Sequence, residues 1–505
     1  MKLKILRDSY YDSVTMMALS NKLKTKYKAN ELIILMGSEM NIELIKNIGF
    51  NIDELDNITP NDCIIAVDSK DDKALLEEIE KNLNSNFESY SSSNKVYKTQ
   101  EELYQDKDIN LTVISLPGRY AVKEAKTALF NNKHVMLFSD NITFEDEKIL
   151  KDIAVKRNLL CMGPDCGTSI INSKGLCFSN KVNKGDISLI GASGTGLQEV
   201  TVLIHKLGGG IDNAIGVGGR DLSEQIGGTM TKFVLNSLIK REKTKTIVIV
   251  SKKPSTIIKD ELIQIGKTTT KNIIYCFVSN DENYVEDNIV VTDNFYKAAE
   301  YAVKLNNGNI NENNFIECND FDINEIKKRM NENQKYIRGL FCGGTLCSQS
   351  FSILSKKLNN VYSNVSKDVK TTLKNNLVSE YHTILDMGDD YFTYGKPHPM
   401  IEPSIRVNRI IEEGKDKNVA VILLDFELGF GSHIDAVGET IGAINEVNEI
   451  AKKEGRYVQF IAYILGTDKD KQKLDYSIKR LTDCGVYVAI TNEEAALKAL
   501  DIVKE

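Results

Sequence analysis

Two short stretches of this chain have the make-up of anion cradles. Residues 187–200 read ISLIGASGTGLQEV: an apolar run, a glycine-rich turn, then a helix-like stretch. Residues 338–351, RGLFCGGTLCSQSF, repeat that order around Gly343, Gly344 and Thr345. Glycine lets the backbone turn tightly and come close to a ligand, and the helix that follows offers unpaired N–H groups and a positive dipole end. Phosphate is the commonest occupant of such a place. In the first turn Ser193, Gly194 and Thr195 would bind it, two hydroxyls adding to the amides; the plain alternative makes Ser193 the N-cap of its helix. Thr345 carries the same pair of readings. A single glycine corner is often only packing, so the weight lies on two matched turns in one chain.

Other groups could serve such an anion. His398 stands between Pro397 and Pro399 in GKPHPM, with Lys396 two residues away, and stiff backbone on both sides would aim its ring. It could act as general acid or base, donate to phosphate or carry a phosphoryl group; a structural histidine is the alternative. Arg220, after the strand-like AIGVGG, could grip a carboxylate or phosphate bidentately, or pair with Asp221 at the surface. Arg406, on a helix expected to start near Glu402, could complete the anion site. Asp386, Asp389 and Asp390 in LDMGDDYF could hold Mg²⁺ with waters and phosphate, form a solvated turn, or serve as partners for Lys396 and Arg406. Gly429, Gly431 and Ser432 make a third phosphate-compatible turn, with sheet-edge packing as its equal alternative. Arg119, in SLPGRY, ends a strand where parallel sheets bind ligands. Cys166 reads as a small buried residue, because no basic neighbour lowers its pKa.

The frame that positions these groups is legible as alternation. Apolar runs such as ELIILMG, DCIIAVD, NLTVISLP, TIVIVSKK and VAVILLDFELGFG alternate with amphipathic segments such as AVKEAKTALFNN. That pattern predicts parallel sheets covered on both faces. The 505 residues exceed one core and suggest three domains. A polar joint at 181–186 and an Asn-, Asp- and Glu-rich stretch at 306–335, with one short helix at 322–331, mark the boundaries; a serine-rich patch at 85–98 reads as a surface loop. A net charge of -7 argues against nucleic acid as a partner. No apolar run reaches about 18 residues, which argues against a membrane. The opening MKLKILRDSYYDSV lacks a signal peptide's apolar core, and nine cysteines without CxxC spacing read as reduced thiols, so a cytoplasmic location is expected.

The motifs MGPDCGTSIINSKG, IGASGTGLQEV, AIGVGGRDLSEQIGG, GLFCGGTLCSQS, DMGDDYFTYGKPHPMIEPSIR and LLDFELGFG resemble the FdrA family of acyl-CoA-synthetase-like proteins over nearly the whole length. That family is similar to succinyl-CoA synthetase. The resemblance implies an α/β fold of three doubly wound parallel-sheet domains. A Rossmann-like CoA-binding-type domain at 1–180 would precede two flavodoxin-like succinyl-CoA synthetase domains at 183–306 and 336–505, joined by a linker at 307–335. It implies that the two glycine turns face each other across one phosphate, and that Arg119 could touch the adenosine-phosphate part of CoA. Three departures stand out, the first being that the chain opens with DSYYDSVTMMALS, without the glycine-rich turn by which the synthetases bind CoA. The stretch CFVSNDENYVEDNIV has no histidine where the synthetases carry a phosphohistidine, and no ATP-grasp segment is present. The resemblance therefore implies a subunit of a carbamoyltransferase of the oxamate type, acting with companion subunits in an oligomer on small phosphorylated or carboxylate substrates in ureide breakdown. His398 would manage the proton, and Arg220 or Arg406 would clamp a substrate carboxylate. An NDP-forming acyl-CoA synthetase with a partner ATP-grasp chain, and a non-catalytic scaffold binding CoA or phosphate, are the other readings.

Overall fold

The computed structural model describes residues 2–11, 13–51, 57–85, 97, 99–278, 282–311, 315, 321–393 and 396–504. The serine-rich patch lies almost wholly outside the described residues, as do Gly395, 279–281 of the histidine-free stretch, and 312–314 and 316–320 of the expected linker. The chain forms two compact units, Met1–Lys98 with Thr393–Pro397, and Thr99–Phe392 with His398–Glu505.

In the first unit, strands β1 (Lys2–Leu6), β2 (Glu31–Met36) and β3 (Cys63–Asp68) form a sheet in the order β1-β3-β2. Both pairings are antiparallel. Alternation along β3 explains how the sheet is covered. Cys63, Ile65 and Val67 pack into one core with Leu23 and Ile79, while Ile64 and Ala66 pack into another with Ile45 and Phe50.

The second unit begins with a small parallel sheet, β4 (Leu111–Ile114), β5 (His134–Leu137) and β6 (Cys161–Met162). A hairpin of β7 (Thr168–Ile171) and β8 (Lys174–Cys177) then joins a larger sheet. That sheet also holds β9 (Lys184–Gly191), β10 (Ile211–Gly216), β11 (Thr246–Lys252), β12 (Asn272–Val278), β13 (Tyr284–Glu286) and β14 (Ile289–Thr292), in the order β13-β14-β12-β11-β9-β10-β7-β8. A third sheet contains β15 (Tyr336–Phe341), β16 (Val361–Ser363), β17 (His382–Asp386), β18 (Val419–Glu427), β19 (Gln459–Leu465) and β20 (Tyr487–Ala489). Its order is β16-β17-β15-β18-β19-β20, parallel throughout. Every residue of β18 is buried, as a central strand covered on both faces requires.

The mixed α/β architecture with several parallel sheets agrees with expectation. The stretch 1–180 is divided differently: an antiparallel unit, then a separate parallel sheet, then a hairpin on the next domain's edge. Local apolar runs carry no sign of pairing direction, and only the contact Ala214↔Ile170, far apart in sequence, decides where the hairpin goes. The polar joint is likewise a seam. Lys184 to Asp186 belong to β9, and Asn180 donates to the Leu428 carbonyl and to Asp470 at 2.9 Å each. Lys181 N donates to Asp470 at 2.8 Å, and Thr467 donates to the Lys181 carbonyl.

In both large sheets the glycine turn follows the strand where the order of connection reverses. From β9 the chain goes to β10 on one side and later to β11 on the other; from β15 it goes to β17's side and then to β18. Crevices at the carboxyl ends of such strands are where open α/β sheets take ligands.

Candidate functional site

The two helices that follow these turns, Gly194–Lys206 and Gly344–Ser355, meet start to start. The Ser193 and Thr345 hydroxyls, 152 residues apart in sequence, hydrogen bond to each other. Ser193 also accepts from Gly196 N at 3.2 Å, so it is an N-cap as well. Contact is close enough to demand glycine. A Cβ on Gly343 would stand 2.7 Å from the Thr195 methyl, and one on Gly196 would stand 3.2 Å from the Thr345 methyl. Gly194 is open by contrast, with only Thr168 Oγ1 at 3.6 Å. The first N–H groups of each helix have no intrahelical acceptor and converge on this junction.

Carboxyl groups floor the second start. Asp425 accepts from Cys342 N at 2.7 Å, from Gly343 N at 2.8 Å and from Arg406 Nη1 at 3.1 Å. Glu427 is 3% exposed, and its Oε1 has no hydrogen-bond partner. A Cβ on Gly343 would lie 2.7 Å from that oxygen. Burial, and Asp425 beside it, push the Glu427 carboxyl well above the usual range. Asp386 Oδ2 lies over Gly344, where a Cβ would be 2.4 Å away, and Gly388 N donates to its Oδ1 at 2.9 Å. Burial pushes Asp386 up to about 7. His398 Nδ1 accepts from Met400 N at 3.2 Å, which leaves the ring proton on Nε2. That nitrogen rests against Gly388, 2.2 Å from where a Cβ would be, and burial takes the imidazole down to about 4.

The structure thus gathers Ser193, Gly194, Thr195, Gly343, Gly344, Thr345, Asp386, His398 and Arg406, and it corrects several expected roles. Arg406 is 1% exposed, bonded through Nη1 to the Asp425 carbonyl and carboxylate and stacked 4.6 Å over Phe426. Through Nη1 it holds Asp425, while its Nε is buried without a hydrogen-bond partner. Arg220 lies against Phe144, donates to the Ile142 carbonyl at 2.7 Å and forms an ion pair with Glu147 at 2.8 Å. Asp221 is not its partner: it accepts from Lys151 and from the start of the helix Thr229–Lys240. Arg119 does not end a strand but is the second residue of the helix Gly118–Phe130. There it stacks on Tyr120 and lines an open cavity of 770 Å³ with Lys123, Lys126 and Thr143. Gly429 and Gly431 are packing residues, pressed on Ser179 and Phe178. The Cys166 thiol is buried and pushed up to about 12.

Asp390 bonds to Asp140 and, with Asp389, starts the short helix Asp390–Thr393. Among the described residues the ligand-like set falls elsewhere, on Cys342, Asp425 and Glu427, whose donor atoms lie within 4.8 Å of one another. A thiol in the set and Arg406 bonded to Asp425 do not fit Mg²⁺, a hard cation that takes oxygen ligands. Asp425 and Glu427 were missed in sequence. Their signal is two acids at i and i+2 inside an otherwise apolar strand, VAVILLDFE.

The two facing strand–turn–helix corners, each at a reversal point, belong to an α/β fold of the CoA-ligase kind. Residues 340–502 match the family model described as CoA-ligase, and residues 182–278 match the CoA binding domain. Residues 1–103 match "AllF, heavy metal-associated domain". The chain is 40% identical over 506 residues to the uncharacterized protein YahF of Escherichia coli, covering 99% of this chain and 98% of that one. It belongs to the FdrA/YahF-type family of acyl-CoA-synthetase-like proteins. It is also similar to the α subunit of succinate–CoA ligase [ADP-forming] of Methanothermobacter thermautotrophicus, 24% identical over 127 residues, 25% of this chain and 43% of that one. Among solved structures it is similar to the dinucleotide-forming acetyl-coenzyme A synthetase 1 of Ca. Korarchaeum cryptofilum in complex with phosphate and ADP. That likeness has 13% identity and a TM-score of 0.34, covering 81% of this chain and 85% of that one. The CoA-binding match falls on β9 to β12, not on the first 180 residues. The heavy-metal description does not fit the side chains present. Cys63 is the sole cysteine of 1–103, and it is buried in β3 with its thiol pushed up to about 12. Among the described residues no helix is long and apolar enough to cross a membrane.

Proposed function

We propose that this protein is a carbamoyltransferase subunit of the oxamate type, working with companion subunits. Oxalurate and phosphate would give oxamate and carbamoyl phosphate, or the reverse. The observation that supports this best is the Ser193–Thr345 hydrogen bond, which joins two helix starts at one point. Their free amides are donors fixed in advance for the oxyanions of phosphate and of the carbonyl under attack. His398 stands nearby as a neutral ring whose Nε2 rests against Gly388, a donor without a charge. The test is phosphate release from carbamoyl phosphate with oxamate, by this chain alone and then with its co-expressed neighbours. Release that needs oxamate supports the reading; none in either case ends it.

A second reading is favoured by the two CoA-related matches. At Gly219, as at Gly194, the backbone is open: a Cβ would meet only Ala192 O, at 3.8 Å. In this reading a phosphate of CoA would lie against these two glycines and Thr195, and bound CoA would supply the thiol that accepts an acyl group. Acid, CoA and ATP with a partner ATP-grasp chain would then yield a thioester. Absence of thioester removes this reading.

A further inference from the structure

A second acidic group beside Asp425 lies over the start of the helix Gly344–Ser355, and its surroundings give it a task of its own. Asp386 ends β17 and is fixed from three sides. Asn364 accepts from its backbone N at 2.9 Å and donates to its carbonyl at 2.9 Å, while Gly388 N holds Oδ1 at 2.9 Å. Oδ2 is left over Gly344, at the point where the helix Gly344–Ser355 presents its first N–H groups. Other charged groups face it. Asp389 and Asp425 raise its pKa, while Lys252, at the end of β11 in the neighbouring sheet, lowers it. The balance with burial leaves the carboxyl near 7, where it can give and take a proton at neutral pH. On the other flank of the same helix start, Glu427 Oε1 is buried without a partner beside Gly343. That buried oxygen has a hydrogen-bonding capacity that a polar occupant of the junction would satisfy.

We propose that Asp386 is the catalytic proton carrier of this site. The proposal rests on the carbamoyl-transfer reading above. In the direction from oxalurate, a phosphate oxygen bonds to the ureido carbonyl carbon and the C–N bond to the oxamate nitrogen breaks. That electron pair stays on nitrogen, which takes the proton of the Asp386 carboxyl; the phosphate hydroxyl proton then returns to the Asp386 carboxylate. One C–O bond replaces one C–N bond, and no proton is released or consumed. No other reactant is needed.

The test compares wild type with Asp386→Asn in the co-expressed complex. Asparagine retains an oxygen for Gly388 N but cannot pass the proton. Turnover of oxalurate should fall roughly a hundredfold, the lower end for loss of a general acid–base group. Turnover of p-nitrophenyl carbamate, whose leaving group needs no proton, should fall less than about fivefold. Equal losses on both donors, or no loss with oxalurate, would overturn the assignment. If wild type transfers no carbamoyl group, the functional reading has failed, and the proton site is read separately. Calorimetry of inorganic phosphate binding to the full chain, in buffers of different ionisation enthalpy, should show proton uptake in wild type and none in D386N. Equal uptake in both, or no phosphate binding, again overturns it. Should D386N not fold, Asp386→Ser serves both comparisons, with added formate expected to restore oxalurate turnover.

Discussion

Ser193 and Thr345 can be separated experimentally from the amides around them. Each hydroxyl is the other's partner, so Ser193→Ala and Thr345→Val remove one shared interaction and should not add in a double-mutant cycle. Each alone should weaken phosphate binding by about 1 kcal/mol, roughly fivefold, measured by calorimetry. The double variant should lose little more than either single one. His398 gives a pH prediction of definite sign. Its pKa is about 4 in the folded chain and about 6.5 unfolded, so the folded state binds fewer protons between those values. Its contribution to stability is complete above pH 6.5 and is lost as pH falls through 6.5 toward 4. Melting temperatures of His398→Gln and wild type should therefore draw together, or cross, on going from pH 7 to pH 4.5. A constant difference between them across that range counts against the buried neutral ring. Sequence named His398 through its two prolines, yet its protonation follows from burial, which no local pattern reveals.

At the scale of elements, both strand–turn–helix corners were legible because strand, glycine turn and helix start are each local patterns. What made them one site was not local. Nothing in RGLFCGGT says that the Thr195 methyl will press on Gly343, or that Asp425 and Glu427, more than 80 residues later, will lie beneath it. The antiparallel pairing in the first unit and the placing of β7 and β8 were hidden for the same reason. The two turns accordingly respond differently to one added methyl group. Gly343→Ala puts a Cβ 2.7 Å from both Glu427 Oε1 and the Thr195 methyl, an overpacking that should cost about 1–3 kcal/mol in denaturant unfolding. Gly194→Ala meets nothing closer than 3.6 Å, and alanine is the better helix former, so stability should hold or rise by up to about 1 kcal/mol. The same methyl group would intrude on the open cradle. G194A should therefore keep its melting temperature and lose affinity for phosphate, which separates ligand approach from packing as the reason for that glycine.

At the scale of the whole molecule, the site exists only while two sheets stay docked, and a buried acid in the seam makes that docking sensitive to pH. Glu199, on the helix Gly194–Lys206, is 1% exposed and accepts from the Tyr463 hydroxyl of β19 at 2.7 Å. Burial raises its pKa to about 7 against an ordinary 4.5, and Tyr463, itself pushed up, keeps its proton and stays the donor. The folded state thus binds more protons than the unfolded one. Its stabilising share is complete below about pH 4.5 and is lost as pH rises through about 7. By linkage the loss is on the order of 3 kcal/mol by pH 8. Glu199→Gln keeps an acceptor for Tyr463 without the titration. Wild type should accordingly lose stability relative to E199Q as pH goes from 5 to 8 in urea unfolding at fixed ionic strength. Because Glu199 sits less than two turns after the Ser193–Thr345 contact, loss of docking there should also separate the helix starts. Phosphate affinity should then fall over the same pH interval in wild type and hold in E199Q; parallel behaviour of the two would show that the seam does not govern the site.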